Sequence, residues 1–126
     1  MTRFLRNYID GRWVASKATD FEKVINPATE ELLANVPLSS EQETTEAIRA
    51  ADVAFQTWKK VSVPVRGRYL FKLHHLLLKH KEELAWLITL ENGKALSESL
   101  GEVQRGIENV EHAASITNLI MGDSLS

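Results

Sequence analysis

The sequence predicts an α+β segment, in which two β-hairpins come first and four helices follow. Three observations lead to this prediction. Residues that favour strands dominate up to residue 37, an Asp-Gly pair interrupts the first of these runs, and from residue 39 apolar residues recur every three to four positions. Asp-Gly is typical of tight hairpin turns, and a period near 3.6 is typical of amphipathic helices.

The two hairpins are predicted within residues 1–37. In YIDGRWV, residues 8–14, Asp10-Gly11 supplies the positive φ angles that a type I′ turn requires. The second hairpin joins FEKVIN, residues 21–26, to LLANVP, residues 32–37. Asn26-Pro27 marks the turn between these two strands, because both residue types favour turns over continued strands.

Three helices are predicted between residues 39 and 92. Ser40 and Glu43 have the spacing of a capping box, Pro64 suits the first turn of the second helix, and Gly93 suits the residue after the third. The expected apolar faces are Ile48, Ala51, Phe55 and Trp58 in the first helix, Tyr69, Leu73, Leu76 and Leu77 in the second, and Leu84, Leu87 and Ile88 in the third.

The fourth helix is predicted from Ala95 to Met121, so that the helices together occupy residues 39–121. Its apolar stripe follows alternating steps of four and three residues: Leu96, Leu100, Val103, Ile107, Val110 and Ala114. The opposite side carries Glu98, Glu102, Arg105, Asn109 and His112. Hairpins and helices are expected to form a single partial domain, residues 1–126.

Composition excludes several classes of function. The net charge is −2 without any charge run, which argues against nucleic acid or a membrane surface as a partner. The absence of cysteine fits a reducing compartment, so a cytoplasmic location is expected. No nucleophile-base pair, no glycine-rich phosphate loop and no metal-ligand spacing of the four histidines is found. The sequence therefore predicts no catalytic, cofactor-binding or metal-binding residue.

Arg105 is the one candidate site residue. A solvated arginine that pairs with Glu102 and Glu108 at i,i+3 spacing is one interpretation. Gly101 and Gly106 favour another, because glycine inside a helix costs about 1 kcal/mol relative to alanine. Their presence suggests that something outside this segment approaches closely. A planar guanidinium presented at such a place would suit a carboxylate.

Segments spread along nearly the whole chain resemble the N-terminal part of the aldehyde dehydrogenase superfamily. They are, in order, NYIDGRWV, VINPATEEL, AIRAADVAFQTW, KEELAWLITLENGKAL and GEVQRGIENVEHAA. GEVQRGIENVEHA together with MGDSLS is similar to the CoA-acylating branch that acts on methylmalonate and malonate semialdehyde, in valine and inositol breakdown. The sequence departs from many family members at Glu30, where they have glycine.

The resemblance implies an oxidoreductase with the α/β aldehyde dehydrogenase fold as the parent protein. In such a parent a cysteine attacks the aldehyde, hydride passes to NAD, the substrate carboxylate is lost as carbon dioxide, and the remaining acyl group is released to CoA as acetyl- or propionyl-CoA. The resemblance further implies that Arg105 binds the substrate carboxylate at the entrance to the active site. The implied partners are a small carboxylated aldehyde and further copies of the parent, as a dimer or tetramer.

The Rossmann core, the catalytic cysteine and the NAD site of that family have no counterpart among these 126 residues. The chain alone is therefore expected to be an inactive N-terminal fragment that binds neither NAD nor CoA. The alternative is a non-catalytic helical module that binds intact dehydrogenase subunits. The coding sequence beyond Ser126 distinguishes these two, because a frameshifted remnant of the cysteine region indicates a split gene and a clean stop indicates a module. The preference between the two semialdehydes stays open.

Overall fold

The computed structural model describes residues 3–120 and residue 122. Its elements are β1 (Asn7–Ile9), β2 (Arg12–Val14), β3 (Phe21–Ile25), β4 (Leu32–Pro37), α1 (Glu41–Trp58), α2 (Val63–Lys79), α3 (Lys81–Asn92), α4 (Leu96–Ala114) and α5 (Ile116–Leu119). The predicted α+β segment is confirmed. The chain divides into two compact units, the first built from residues up to 60 together with 91–93, the second from residues 61–90 and from 94 onward.

The first hairpin forms at the predicted place. Strands β1 and β2 pair antiparallel, with Asn7 opposite Val14 and Ile9 opposite Arg12. Asp10 and Gly11 both have positive φ angles, 51° and 74°, as a type I′ turn requires.

The second hairpin, β3 with β4, is also confirmed, and Asn26 organises its turn. The buried Asn26 side chain accepts a hydrogen bond from the N–H of Ala28 at 2.9 Å, and its carbonyl oxygen accepts one from the N–H of Glu30 at 2.8 Å. In the turn closed by these bonds, Glu30 has a φ of 60°, which lies in the left-handed region. The backbone conformation thus explains why glycine suits this position in many members of the family that the sequence resembles.

Helix α1 begins with the predicted capping box. The Ser40 hydroxyl accepts a hydrogen bond from the N–H of Glu43, and the Glu43 carboxylate accepts one from the N–H of Ser40. The same carboxylate also accepts hydrogen bonds from the N–H of Lys17 at 2.9 Å and the Ser16 hydroxyl at 3.0 Å. The backbone N–H groups of Lys17 and then Ser40 hold the pKa of Glu43 below its ordinary value. One carboxylate therefore joins the helix start to the segment that follows β2.

In the second unit a small core lies between α2, α3 and α4. Its buried members are Ala85, Val103 and Ile107, and the side chains packed against them are Leu77, Leu84, Ile88 and Leu100. Ala114, further along the predicted stripe of α4, is also buried, whereas Leu96 at its start is exposed. The stripe is therefore confirmed along the middle and the end of the helix.

The predicted apolar faces of α2 and α3 are partly wrong. Tyr69, Leu73 and Leu76 are exposed, and α2 instead turns Gly67 inward, where an added Cβ would lie 3.3 Å from the carbonyl oxygen of Ala114. The missing side chain lets α2 approach the end of α4, and this contact fixes which face of α2 is buried. In α3 the predicted Leu87 is exposed, while Ala85, absent from the prediction, is fully buried.

The ends of α3 and α4 differ in how well they were predicted. Gly93 follows α3 with a φ of 79°, as a helix stop, and a Cβ there would lie 2.9 Å from Cγ of Pro27. The fourth helix was predicted to reach Met121, but α4 ends at Ala114. Both the N–H and the hydroxyl of Ser115 bond to the carbonyl of His112, which tightens the turn and separates α5 from α4. Met121 itself lies outside the described residues.

Large apolar side chains stay exposed on α1. Ile48 is 63% exposed and Phe55 is 53% exposed, although both lie on the predicted apolar face. Such a face is stable in water only when another surface covers it, since exposed apolar patches promote association. Among the described residues, no helix is at once long and apolar enough to cross a bilayer.

We therefore expect the isolated chain of 126 residues to bind the dye ANS and to elute as oligomers or aggregates from a size-exclusion column. The physical reason is the apolar face of α1, together with the exposed side chains of Trp13 and Trp86. A sharp monomer peak, without ANS fluorescence and with one cooperative thermal transition, would contradict this expectation and favour a stand-alone module.

Candidate functional site

Arg105 lies in the middle of α4, on the side opposite the buried stripe. Its side chain is 68% exposed, which confirms that it is not part of the core. Its Nη2 atom lies 4.0 Å from Oε1 of Glu102, close enough for an ion pair and too far for a hydrogen bond. Glu108 instead accepts a hydrogen bond from Gln104 at 3.0 Å, so within the described chain Arg105 pairs with Glu102 and not with Glu108. The guanidinium donors thus remain accessible.

The two glycines beside Arg105 have different surroundings. A Cβ added to Gly101 would lie 3.7 Å from Nη1 of Arg105, which shows that the arginine side chain folds back over Gly101, toward the start of the helix. At Gly106, apart from its own helix backbone and its two chain neighbours, no described atom lies within 4 Å of an added Cβ. The close approach of an outside group to Gly106 therefore stays a prediction.

Glu102 joins Arg105 to Lys94, and the three residues form what we call the Lys94–Glu102–Arg105 cluster. Nζ of Lys94 lies 2.5 Å from Oε1 of Glu102, the same oxygen that faces Arg105. The hydrogen bond from Lys94 holds the pKa of Glu102 below its ordinary value, and the charges of Lys94 and Arg105 act in the same direction. A glutamate carboxylate is ionised at neutral pH, so two cations face one anion in this cluster. The guanidinium of Arg105 therefore keeps donors that a carboxylate of a ligand could use.

Sequence reasoning identified Arg105 and Glu102 but missed Lys94. The prediction for ENGK, residues 91–94, was only a helix end, and Lys94 is separated from Glu102 by eight positions across a break between two helices. Helical periodicity cannot predict a contact of this kind, because the lysine is not in the helix. A lysine directly after a glycine stop, and shortly before an acidic residue in the next helix, is the signal that could have suggested it.

Three other features of the described chain were candidates for a site: metal-ligand clusters, histidine–carboxylate pairs and a groove. No group of three histidine, aspartate or glutamate side chains within residues 3–120 and 122 could hold a metal ion. His80 lies 2.9 Å from Glu83, and His74 lies 4.0 Å from Glu111, both as simple pairs. An open groove of about 620 Å³ is lined by residues of the first unit, among them Trp13, Lys17 and Glu43, and includes no predicted site residue.

Comparison with known proteins identifies what the chain is similar to. The model of the aldehyde dehydrogenase family matches residues 13–126. Malonate-semialdehyde dehydrogenase of Listeria monocytogenes (strain HCC23) is 60% identical over 124 residues, which cover 98% of this chain and 25% of that protein. Malonate-semialdehyde dehydrogenase of Bacillus subtilis (strain 168) is 56% identical, with 98% and 26% covered. The chain thus spans about a quarter of the length of these relatives.

Solved structures give the same result. Methylmalonate-semialdehyde dehydrogenase (DddC) from Oceanimonas doudoroffii superposes with a TM-score of 0.87 at 39% identity, covering 94% of this chain and 24% of that one. A protein assigned as methylmalonate-semialdehyde dehydrogenase from Sinorhizobium meliloti 1021, solved in complex with NAD, gives 0.89 at 31% identity, with the same coverage. Since the family model matches all but the start of the sequence and these folds coincide, the chain belongs to the aldehyde dehydrogenase family.

Proposed function

We propose that this chain is the N-terminal quarter of an NAD-dependent, CoA-acylating malonate- or methylmalonate-semialdehyde dehydrogenase. The observation that carries the proposal is the 60% identity to malonate-semialdehyde dehydrogenase over 98% of the chain. The complex of the Sinorhizobium meliloti protein with NAD supports the choice of nicotinamide cofactor. The use of CoA, the assembly into dimers or tetramers and the cytoplasmic location follow from the family resemblance. Residues 1–126 would belong to a single larger domain that the rest of the protein completes.

In this proposal Arg105 binds the carboxylate of the substrate. Its guanidinium is exposed, and within the described chain its ion pair with Glu102 is too long for a hydrogen bond. A planar guanidinium can donate two parallel hydrogen bonds to one carboxylate, which fixes the orientation of the substrate as well as its position. Binding the carboxylate at one end would hold the aldehyde group at a defined distance, which favours reaction with a nucleophile supplied by the rest of the protein.

A replacement experiment tests the proposed function. Residues 1–126 of this chain would replace the matching N-terminal quarter of the Bacillus subtilis relative, which gives a chimera of the relative's full length. NADH formation and acyl-CoA formation are then measured with malonate semialdehyde, methylmalonate semialdehyde and propanal, with and without CoA. We expect CoA-dependent turnover and a higher kcat/KM for the carboxylated aldehydes. The relative without its N-terminal quarter is the control and should be inactive. A folded chimera that is equally inactive would contradict the proposal.

The isolated 126-residue chain should show no dehydrogenase activity. It contains no cysteine, and acid-base groups alone cannot replace covalent capture of the aldehyde. The purified chain would be assayed for NADH formation with malonate semialdehyde, NAD and CoA. Turnover above a blank without protein would show that this expectation is wrong.

A further inference from the structure

We propose that Lys94 is a positioning residue for Arg105 and acts through Glu102, an inference that rests on the proposed binding of substrate carboxylate by Arg105. The geometry points to this role because Lys94 and Arg105 both face the same oxygen atom of Glu102. Oε1 of Glu102 lies 2.5 Å from Nζ of Lys94 and 4.0 Å from Nη2 of Arg105. Lys94 therefore donates a hydrogen bond to Glu102, whereas Arg105 interacts with Glu102 only through its charge.

Without Lys94, Glu102 would compete with the substrate. A carboxylate three positions before an arginine in a helix is well placed to pair with it, and a direct guanidinium-carboxylate pair is often bidentate. Such a pair would occupy the donors that the substrate carboxylate requires. In the structure the ammonium of Lys94 donates a hydrogen bond to Glu102, and the guanidinium lies near this carboxylate without a hydrogen bond to it.

The surroundings of the cluster support a positioning role. The side chain of Lys94 is only 22% exposed and that of Glu102 is 39% exposed, so the bond between them is better shielded from water than Arg105. Lys94 directly precedes Ala95, the N-cap of α4, and its side chain reaches along the first two turns of that helix. The guanidinium lies over Gly101, where an added Cβ would be at an ordinary contact distance of 3.7 Å from Nη1. A guanidinium folded over Gly101 therefore lies beside the better shielded Lys94–Glu102 pair, whose charges act on it.

Kinetics of variants in the chimera test the inference. Lys94→Met frees Glu102 to capture Arg105, so we expect kcat/KM for malonate semialdehyde to fall roughly five- to tenfold, mainly through a higher KM. Turnover of propanal, which has no carboxylate, should stay within about twofold. Adding Glu102→Gln to Lys94→Met should restore most of the loss, because a neutral amide competes weakly for a guanidinium. Lys94→Arg, which keeps a cation beside Glu102, should retain the preference for carboxylated aldehydes.

Lys81→Met is the matched control. Lys81 also donates to a side chain of α4, but its partner is the neutral Gln104, at 2.7 Å. Lys81→Met removes one positive charge, as Lys94→Met does, but frees no carboxylate. The kcat/KM for malonate semialdehyde should therefore change less than about twofold. An equal loss in Lys81→Met and Lys94→Met would show a general effect of charge and would overturn the positioning role. Equal losses for propanal and malonate semialdehyde, or no rescue by Glu102→Gln, would also overturn it.

The failure of this inference can be distinguished from failure of the proposed function. If Arg105→Leu abolishes the preference for carboxylated aldehydes but Lys94→Met leaves it intact, Arg105 binds the carboxylate and Lys94 does not position it. If Arg105→Leu also leaves the preference intact, the role proposed for Arg105 is wrong, and the inference is wrong with it.

Discussion

Replacing Arg105 by leucine in the chimera is expected to lower kcat/KM for malonate semialdehyde by about 30-fold or more. Removing one member of a hydrogen-bonded charge pair that is buried in the complex costs roughly 2–5 kcal/mol, and each 1.36 kcal/mol corresponds to a factor of ten. The loss should appear in substrate selection, because in the proposed role the guanidinium contacts the carboxylate and not the aldehyde carbon. Propanal, which is similar in size without a carboxylate, should lose little.

Two further measurements sharpen this prediction. Arg105→Lys should recover only part of the loss, since lysine is a point charge without the planar fork that matches a carboxylate. The thermal midpoint of Arg105→Leu should stay close to that of the unmodified chimera, because Arg105 lies on the exposed side of α4, opposite Val103 and Ile107. Equal losses for malonate semialdehyde and propanal would mean that Arg105 is a surface ion-pair residue and does not select the substrate.

Replacing Ile107 by alanine should have the largest effect on stability. Ile107 is 2% exposed and lies in the core cluster of the second unit, with Ala85 and Val103. Substituting a buried isoleucine by alanine costs about 2–5 kcal/mol, through the lost burial and the cavity that remains. In the chimera, hydrogen exchange of the amides in α4 should then accelerate by roughly 30-fold or more, as the free energy of local opening falls by this amount.

Glu108→Ala is the control for this measurement. Glu108 is the next residue along the helix and is exposed, and its hydrogen bond to Gln104 lies at the surface. An exposed substitution of this kind changes stability by about 0.5 kcal/mol or less. Similar exchange rates in Ile107→Ala and Glu108→Ala would show that the cluster around Ile107 does not hold α4 in place.

Local chemistry explains why the hairpins and helix starts could be predicted. Asp10-Gly11 adopts a turn that few other residue pairs allow, and Ser40 with Glu43 closes a capping box through bonds only three residues apart. These features depend on neighbours in sequence, which are visible without a structure. The exposed Ile48 and Phe55 show the limit, because periodicity identifies an apolar face but not the surface that covers it.

The buried face of α2 depends on a long-range contact, so its prediction was only partly right: Leu77 packs against the core, but the other predicted residues do not. Periodicity favoured the face with the largest apolar side chains, Tyr69, Leu73 and Leu76, whereas the helix packs through Gly67 against the end of α4. A glycine contributes nothing to an apolar pattern, although it permits the closest approach of two helices. The early end of α4 has a similar origin, since the hydroxyl of Ser115 bonds to the backbone and interrupts a pattern that continues in the sequence.

The candidate site was predictable only in part for the same reason. The neighbouring glycines and the position opposite the apolar stripe made Arg105 a candidate, and the resemblance to aldehyde dehydrogenases implied that it binds a carboxylate. Lys94 could not be predicted as its neighbour, because the contact with Glu102 depends on how the chain turns between α3 and α4.

A crystal structure of the chimera with malonate, a substrate analogue that carries the same carboxylate, tests the central claim most directly. We expect one malonate carboxylate to accept two hydrogen bonds from the Arg105 guanidinium at about 2.7–2.9 Å, the distance typical of charge-assisted pairs. Glu102 should still accept its hydrogen bond from Lys94 in that complex. Malonate bound in the active site with Arg105 turned away, paired to Glu102 or to solvent alone, would contradict the account.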